Sequence, residues 1–206
     1  MKRSNIIFDL DGTLADSAIL TMAAFGKIAP AAGLSPPDPN HVRACIGYAN
    51  PEFYLRVYPN EPAGLVLHVG SMVEQAESEL LDQLKGRLLF NGCAELLKEL
   101  NRLGAFAYIA STGSGEHVLP IINKTGIAQY FIGIFCGEPD KSEMINKIIG
   151  NRDREKFLMV GDMEKDSRAA HENGIFSVGA CYGYCIREKG GFDGYIDAPA
   201  DLLKFL

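Results

Sequence analysis

Ile6-Ile7-Phe8-Asp9-Leu10-Asp11-Gly12-Thr13-Leu14 decides how this chain is read. An apolar run breaks into two carboxylates two positions apart, then into Gly-Thr. Alternate residues of an extended strand point the same way, so this spacing puts Asp9 and Asp11 together at a strand end. Two acids that close repel each other, and burying their charge is costly without a cation or bonded donors. Such a pair weakens a fold, but it suits holding a metal or dividing nucleophile from acid/base work.

Outward from this strand, further apolar runs fall at 105–110, 132–135, 157–160 and 175–180, with a weaker one at Tyr195-Ile196. The segment 92–103 carries Leu96, Leu97, Leu100 and Leu103 at helical spacing, and Gly104 supplies a stop. Segments 116–125, 142–149 and 166–173 likewise run up to Gly126, Gly150 and Gly174. Strand alternating with glycine-closed helix predicts an α/β protein with a doubly wound, Rossmann-like parallel sheet. Ligands of such sheets sit beyond the carboxyl ends of the strands, where Asp9, Ser111 and Asp162 fall. From about Asp16 to Arg87 the alternation lapses. Helix-like runs at 18–32, 39–46, 51–57 and 64–84, punctuated by Pro36-Pro37 and by prolines at 59 and 62, predict an inserted helical cap. The expected division is a core of 1–15 and 88–206 with a cap of 16–87.

Bulk properties narrow the function. The 206 residues suffice for one sizeable domain with an insertion, and 47% hydrophobic with 22% charged residues is ordinary for a globular chain. A net charge of −6 disfavours nucleic acid or an anionic membrane as partner, and obliges an anionic substrate to find a local cation. No apolar run approaches the ~18–20 residues of a membrane span. Met1-Lys2-Arg3 precedes an apolar stretch that already ends at Asp9, so a cytoplasmic protein is expected. The five cysteines show no Cys-x-x-Cys and no histidine at zinc spacing, in keeping with a reducing compartment.

Three more pieces join the Asp9–Asp11 pair. Ser111 ends an apolar strand and is followed by Thr112-Gly113-Ser114-Gly115, a turn that can offer hydroxyl and backbone N–H groups to an anion. Ser111 and Thr112 both compete for the hydroxyl position, and Ser111 is preferred because it directly ends the strand. Lys141 opens a helix, where its cation and the positive helix end would act on the same anion. Gly161-Asp162 closes another strand, and Asp166 follows one helical turn later. The four histidines are scattered and are expected to be surface or packing residues.

In order and separation these pieces resemble the four motifs of the haloacid dehalogenase-like superfamily, and the pattern is most similar to its phosphoglycolate phosphatase-like group. The resemblance spans nearly the whole chain, and the cap lies where members capped between the first two motifs carry theirs. It implies that Asp9 is a nucleophile forming an aspartyl-phosphate and Asp11 a general acid/base whose pKa Asp9 should raise. It implies Mg2+ held by Asp9, the Asp11 carbonyl and Asp162, with Asp166 ordering that shell or Lys141. Ser111, Thr112, Gly113 and Lys141 would hold the phosphoryl oxygens of a small phosphorylated metabolite. Lys141 precedes Ser142 where many relatives have proline, and Ser111-Thr112 stands where many have Thr-Asn.

The second aspartate argues against a dehalogenase. A phosphosugar mutase, an inorganic pyrophosphatase and a non-catalytic phosphate binder are the alternatives to a phosphatase. In the cap loop Cys45–Pro51, Gly47, Tyr48 and Asn50 are substrate-binding candidates, with Arg43 and Arg56 nearby. Asn50 falls about where mutases carry a basic residue, which favours hydrolysis. Monomer and homodimer are equally open.

Overall fold

The computed structural model describes residues 2–206. Strand β1 (Asn5–Phe8) is followed by helices α1 (Ser17–Ile28), α2 (Pro39–Cys45), α3 (Glu52–Val57) and α4 (Ala63–Leu84). Strands and helices then alternate as α5 (Cys93–Arg102), β2 (Phe106–Ser111), α6 (Gly115–Lys124), β3 (Phe131–Cys136) and α7 (Lys141–Ile149). The chain continues through β4 (Phe157–Gly161), α8 (Glu164–Glu172), β5 (Phe176–Ala180), α9 (Arg187–Gly190) and β6 (Gly194–Ile196).

The strands form one parallel sheet in the order β3-β2-β1-β4-β5-β6. Every residue of β1 is buried, because β2 and β4 flank it and helices cover both faces. The alternation of a strand divides its side chains between those faces. Ile6, Phe8, Ile109, Leu158 and Val160 pack with Leu96, Leu97 and Leu100 of α5 and with Val118, Ile121 and Ile122 of α6. Ile7, Tyr108, Phe157 and Met159 pack instead with Met144, Ile145 and Ile148 of α7 and with Ala169 and Ala170 of α8. The expected doubly wound sheet is therefore present. Its strand order reverses between β1 and β4, so the carboxyl ends of these two strands flank the crevice where such sheets bind ligands.

Helices α1–α4 bury an apolar cluster of their own around Phe25, Phe53, Tyr54, Val66, Val69 and Val73. Phe25 meets the rings of Tyr54 and Tyr58 edge-on at centroid distances of 6.2 and 5.8 Å. On α4 the buried positions Val66, Val69, Gly70, Val73, Ala76, Glu77 and Leu81 form one helical stripe. Both crossings between this layer and the sheet lie side by side. Asp16 N donates to Leu88 O at 2.7 Å, and Phe90 N to Leu14 O at 3.0 Å. Tyr184 pins them: its hydroxyl donates to the Asp16 carboxylate and accepts from Ala18 N at 3.0 Å.

The expected element positions hold to within a few residues, with three differences. Helix α1 stops at Ile28, and Pro30–Ala32 forms a separate 3-10 turn because proline cannot continue the ladder. The short helix α9 and the C-terminal 3-10 segment Pro199–Phe205 had no apolar period long enough to reveal them.

Candidate active site

The Asp9 carboxylate emerges directly beyond β1, with its backbone N–H donating to Val160 O at 2.9 Å. Lys141, the first residue of α7, extends a 3% exposed side chain to Asp9 Oδ1 at 2.9 Å and also pairs with Asp166 Oδ1. Asp166 Oδ2 accepts from the backbone N–H groups of Asp162 (3.1 Å) and Met163 (2.9 Å). Asp166 thus both closes the first turn of α8 and fixes the lysine. Asp162 lies beyond β4, where its Oδ1 accepts from Thr13 Oγ1 at 3.2 Å. A Cβ on Gly12, at φ +79°, would stand 2.5 Å from Asp162 Oδ2, so this turn requires glycine.

These buried charges shift one another's titration. Burial pushes Asp9 up to about 6, partly countered by Lys141. Burial, then Asp166 and Asp9, hold Asp162 well above the usual carboxylate range. Burial alone would lower Lys141, but Asp166 and Asp9 outweigh it and raise it. An array that disfavours its own carboxylate charges is one that a cation would relieve. Asp9, Asp162 and Asp166 each offer an oxygen within 4.8 Å of the others. Hard oxygen donors of this kind suit Mg2+. Since Asp166 is bonded to Lys141 and two N–H groups, Asp9 and Asp162 keep most acceptor capacity for it.

Asp11 departs from expectation. Its carboxylate lies outside the metal-compatible group and turns to His117 on α6, with Nε2 2.9 Å from Oδ1. Burial acts to raise Asp11, but His117 outweighs it and brings the group below its ordinary value. The expected upward push from Asp9 is therefore overruled. His117 also faces Glu77 of α4, Nδ1 to Oε2 at 3.7 Å. Burial acts to lower the imidazole, yet Asp11 and Glu77 together raise it well above its usual range.

Ser111 and Thr112, both buried, part company at the end of β2. Ser111 Oγ accepts from Gly113 N at 3.1 Å and stays within the turn. Thr112 Oγ1 donates to the Gly47 carbonyl at 2.9 Å and accepts from Lys165 Nζ at 3.0 Å. Lys165 also donates to Gly47 O, so one carbonyl of the helical layer is clasped by two core side chains. A Cβ on Gly47, at φ +103°, would stand 2.5 Å from Met163 Sδ. Only glycine lets this loop approach so closely.

Between the two layers lies a cavity of about 480 Å3. Asp11, Thr112, Gly113, Gly47, Tyr48 and Asn50 all line it, so the cap-loop candidates face the site. Arg43 and Arg56 do not. Arg43 borders a separate cleft beside Tyr184, while Arg56 lies 3.8 Å from the Tyr48 ring centroid and pairs with Glu52. His117, Glu77 and Lys165 were not singled out from the sequence. Glu77 had a signal: it is a charge on the apolar stripe of α4. Lys165 sits inside the Gly161–Asp166 motif itself. His117 had only its place two residues into the helix after the Ser111 turn.

Residues 6–180 match the family model described as haloacid dehalogenase-like hydrolase. A phosphoglycolate phosphatase of Synechococcus elongatus is 26% identical, covering 97% of this chain and 95% of its own length. A 5'-nucleotidase of Pseudomonas aeruginosa is also 26% identical, over 89% of this chain and 85% of its own length. In fold, a crystal structure described as a predicted phosphoglycolate phosphatase from Haemophilus somnus superposes with a TM-score of 0.88 at 23% identity. That superposition covers 100% of this chain and 98% of the other. The chain belongs to the haloacid dehalogenase-like hydrolase family, and within it resembles proteins named phosphoglycolate phosphatase.

Proposed function

We propose that the protein is a Mg2+-dependent phosphatase that hydrolyses a small phosphomonoester through an aspartyl-phosphate on Asp9. The observation that carries this reading is the buried Asp9–Lys141–Asp166 array beside Asp162, where the strand order reverses. Asp9 attacks phosphorus. Lys141, already bonded to Asp9 Oδ1, supplies positive charge to the phosphoryl oxygens, and Ser111 and the backbone N–H groups of its turn supply donors. Asp11, kept ionised by protonated His117 at 2.9 Å from its Oδ1, relays the imidazolium proton to the leaving oxygen, and the proton taken from the water that cleaves the acyl-phosphate returns through Asp11 to His117. Asp9 and Asp162 would hold Mg2+ together with the Asp11 carbonyl, and the ion would offset charge on the phosphoryl group. Asp166 orients Lys141.

Residues 1–15 and 88–206 act in this reading as the catalytic core, and 16–87 as a cap that excludes bulk water. The separate apolar cluster of α1–α4 and the adjoining crossings support that division. Hydrolysis is favoured over transfer between sugars because Asn50, where a mutase base would fall, spends its amide on Glu74.

The test is inorganic phosphate release from a panel of small phosphomonoesters and pyrophosphate, with Mg2+, with chelator, and with Asp9→Asn. Mg2+-dependent release that drops by ~10^4-fold in the variant is expected. Release that survives in Asp9→Asn would rule out the aspartyl-phosphate route.

A further inference from the structure

The alcohol released by this reaction must fit the cavity over Asp11, and the charge of that cavity is one-sided. Its acids are Asp11, Glu74, Glu77 and Glu116, and among the described residues no lysine or arginine lines it. The one imidazole present, His117, already faces Asp11 with one nitrogen and Glu77 with the other. The nearby cations are engaged elsewhere. Lys141 is held by Asp9 and Asp166, Lys165 by Gly47 O and Thr112, and Arg56 by Glu52. A carboxylate or second phosphate on the substrate would therefore enter beside like charge with no unengaged cation among the described residues to receive it.

The same wall is ready to accept hydrogen bonds. Glu74 and Glu77 stand three residues apart on α4, where like charges repel. Burial, and then Glu77, raise Glu74 above its ordinary value, and the Asn50 amide and the more distant His117 offset this only in part. Asn50 donates to one Glu74 oxygen and turns the side chain along the cavity wall. Independently of these acids, Ser17 Oγ, 1% exposed and lining the cavity, makes no hydrogen bond of normal geometry, although it lies near enough to Asp11 to help lower it. A buried hydroxyl left without a good partner beside the acid/base group is placed for a polar atom of the leaving alcohol.

We infer that the substrate is the phosphomonoester of an alcohol that carries no anionic group and offers hydroxyl or ammonium donors to the Glu74–Glu77 wall. This rests on the phosphatase reading above. It also sets the chain apart from the substrate in the names of its phosphoglycolate phosphatase relatives, since phosphoglycolate carries a carboxylate.

Three phosphomonoesters of matched length test it: phosphoglycolate, 2-hydroxyethyl phosphate and phosphoethanolamine, whose far ends are anionic, neutral and cationic. With wild-type protein and Mg2+, kcat/KM for the better of the last two should exceed that for phosphoglycolate by at least about 100-fold. Whichever of the two leads tells a hydroxyl site from an ammonium site. In Glu74→Lys, the ratio of phosphoglycolate to 2-hydroxyethyl phosphate should rise at least about tenfold, a change in ratio that mere loss of folding does not produce. Phosphoglycolate turned over as well as either partner would overturn the inference. If none of the three is hydrolysed, the wider phosphomonoester panel decides the phosphatase reading, and affinities of Asp9→Asn for the three compounds still decide the charge preference. Tightest binding of phosphoglycolate would then sink it.

Discussion

The floor of the site and the wall above it hold similar numbers of acids and treat them oppositely. On the floor, Lys141 sits between Asp9 and Asp166, and Asp166 is further tied by two backbone N–H groups. On the wall, Glu74 has a neutral amide as its hydrogen-bond partner, and Glu77 shares His117 with Asp11 and accepts from Thr21 at 2.6 Å. In the proposed phosphatase, the difference would separate two tasks. Chemistry on phosphorus needs charges fixed in place, whereas choosing a leaving alcohol needs acceptors left with capacity for it.

Removing the floor's cation should break this contrast most severely. Lys141→Ala leaves two buried carboxylates facing each other, and chemical denaturation should register a loss of about 3–5 kcal/mol. A loss below about 1 kcal/mol would mean that the floor is far wetter than its burial implies. Next in size, Mg2+ at about 100 times its Kd should stabilise the protein by about 2.7 kcal/mol, read as a rise in melting temperature that chelator reverses. Asp162→Asn should erase most of that rise, because Asp162 and Asp9 are the acids with oxygen to spare.

His117→Ala probes the boundary between the two regions. It leaves Asp11 and Glu77 across a gap without their shared donor, at an expected cost of about 2 kcal/mol. His117→Gln, which keeps a donor towards Asp11, should recover part of both stability and turnover. The smallest effect belongs to the wall. Glu74 is raised in the folded state, so its contribution to stability is present below its unfolded pKa and is lost as pH rises through the folded one. At neutral pH the ionised side chain is a net cost, and Glu74→Gln should stabilise by about 0.5 kcal/mol or less after solvent screening. The gain should vanish below about pH 4, where wild-type Glu74 is itself protonated. A destabilised Glu74→Gln would show that the carboxylate is satisfied after all.

The floor was legible in the sequence and the wall largely was not, for a physical reason. Asp9 and Asp162 each follow an apolar strand and Ser111 ends one, so strand periodicity alone carries them to one edge of the sheet. Lys141 and Asp166 begin helices that start from that same edge. The protonation of Asp11 departs from its sequence expectation because His117 comes from α6, 106 positions away, and no spacing rule links the two. Which residues of the helical layer face the site depends on how α2, α3 and α4 pack about Phe25 and Tyr54, a matter of volume rather than period. Arg56 shows the difficulty: it lies one helical turn beyond the loop that faces the cavity, yet it stacks on Tyr48 and pairs with Glu52 instead.

The paired crossings at Asp16–Leu88 and Leu14–Phe90 have a mechanical consequence. A rotating body displaces points in proportion to their distance from its axis. Because the strap of chain that would serve as axis adjoins the Gly12 turn and is riveted by Tyr184, motion of the helical layer has almost no lever arm at Asp9 and Asp11. At Gly47 the helical layer is held not by backbone crossings but by side chains, Thr112 and Lys165. A swing of the helical layer would therefore part the contacts at Gly47 first and disturb the Gly12 turn least.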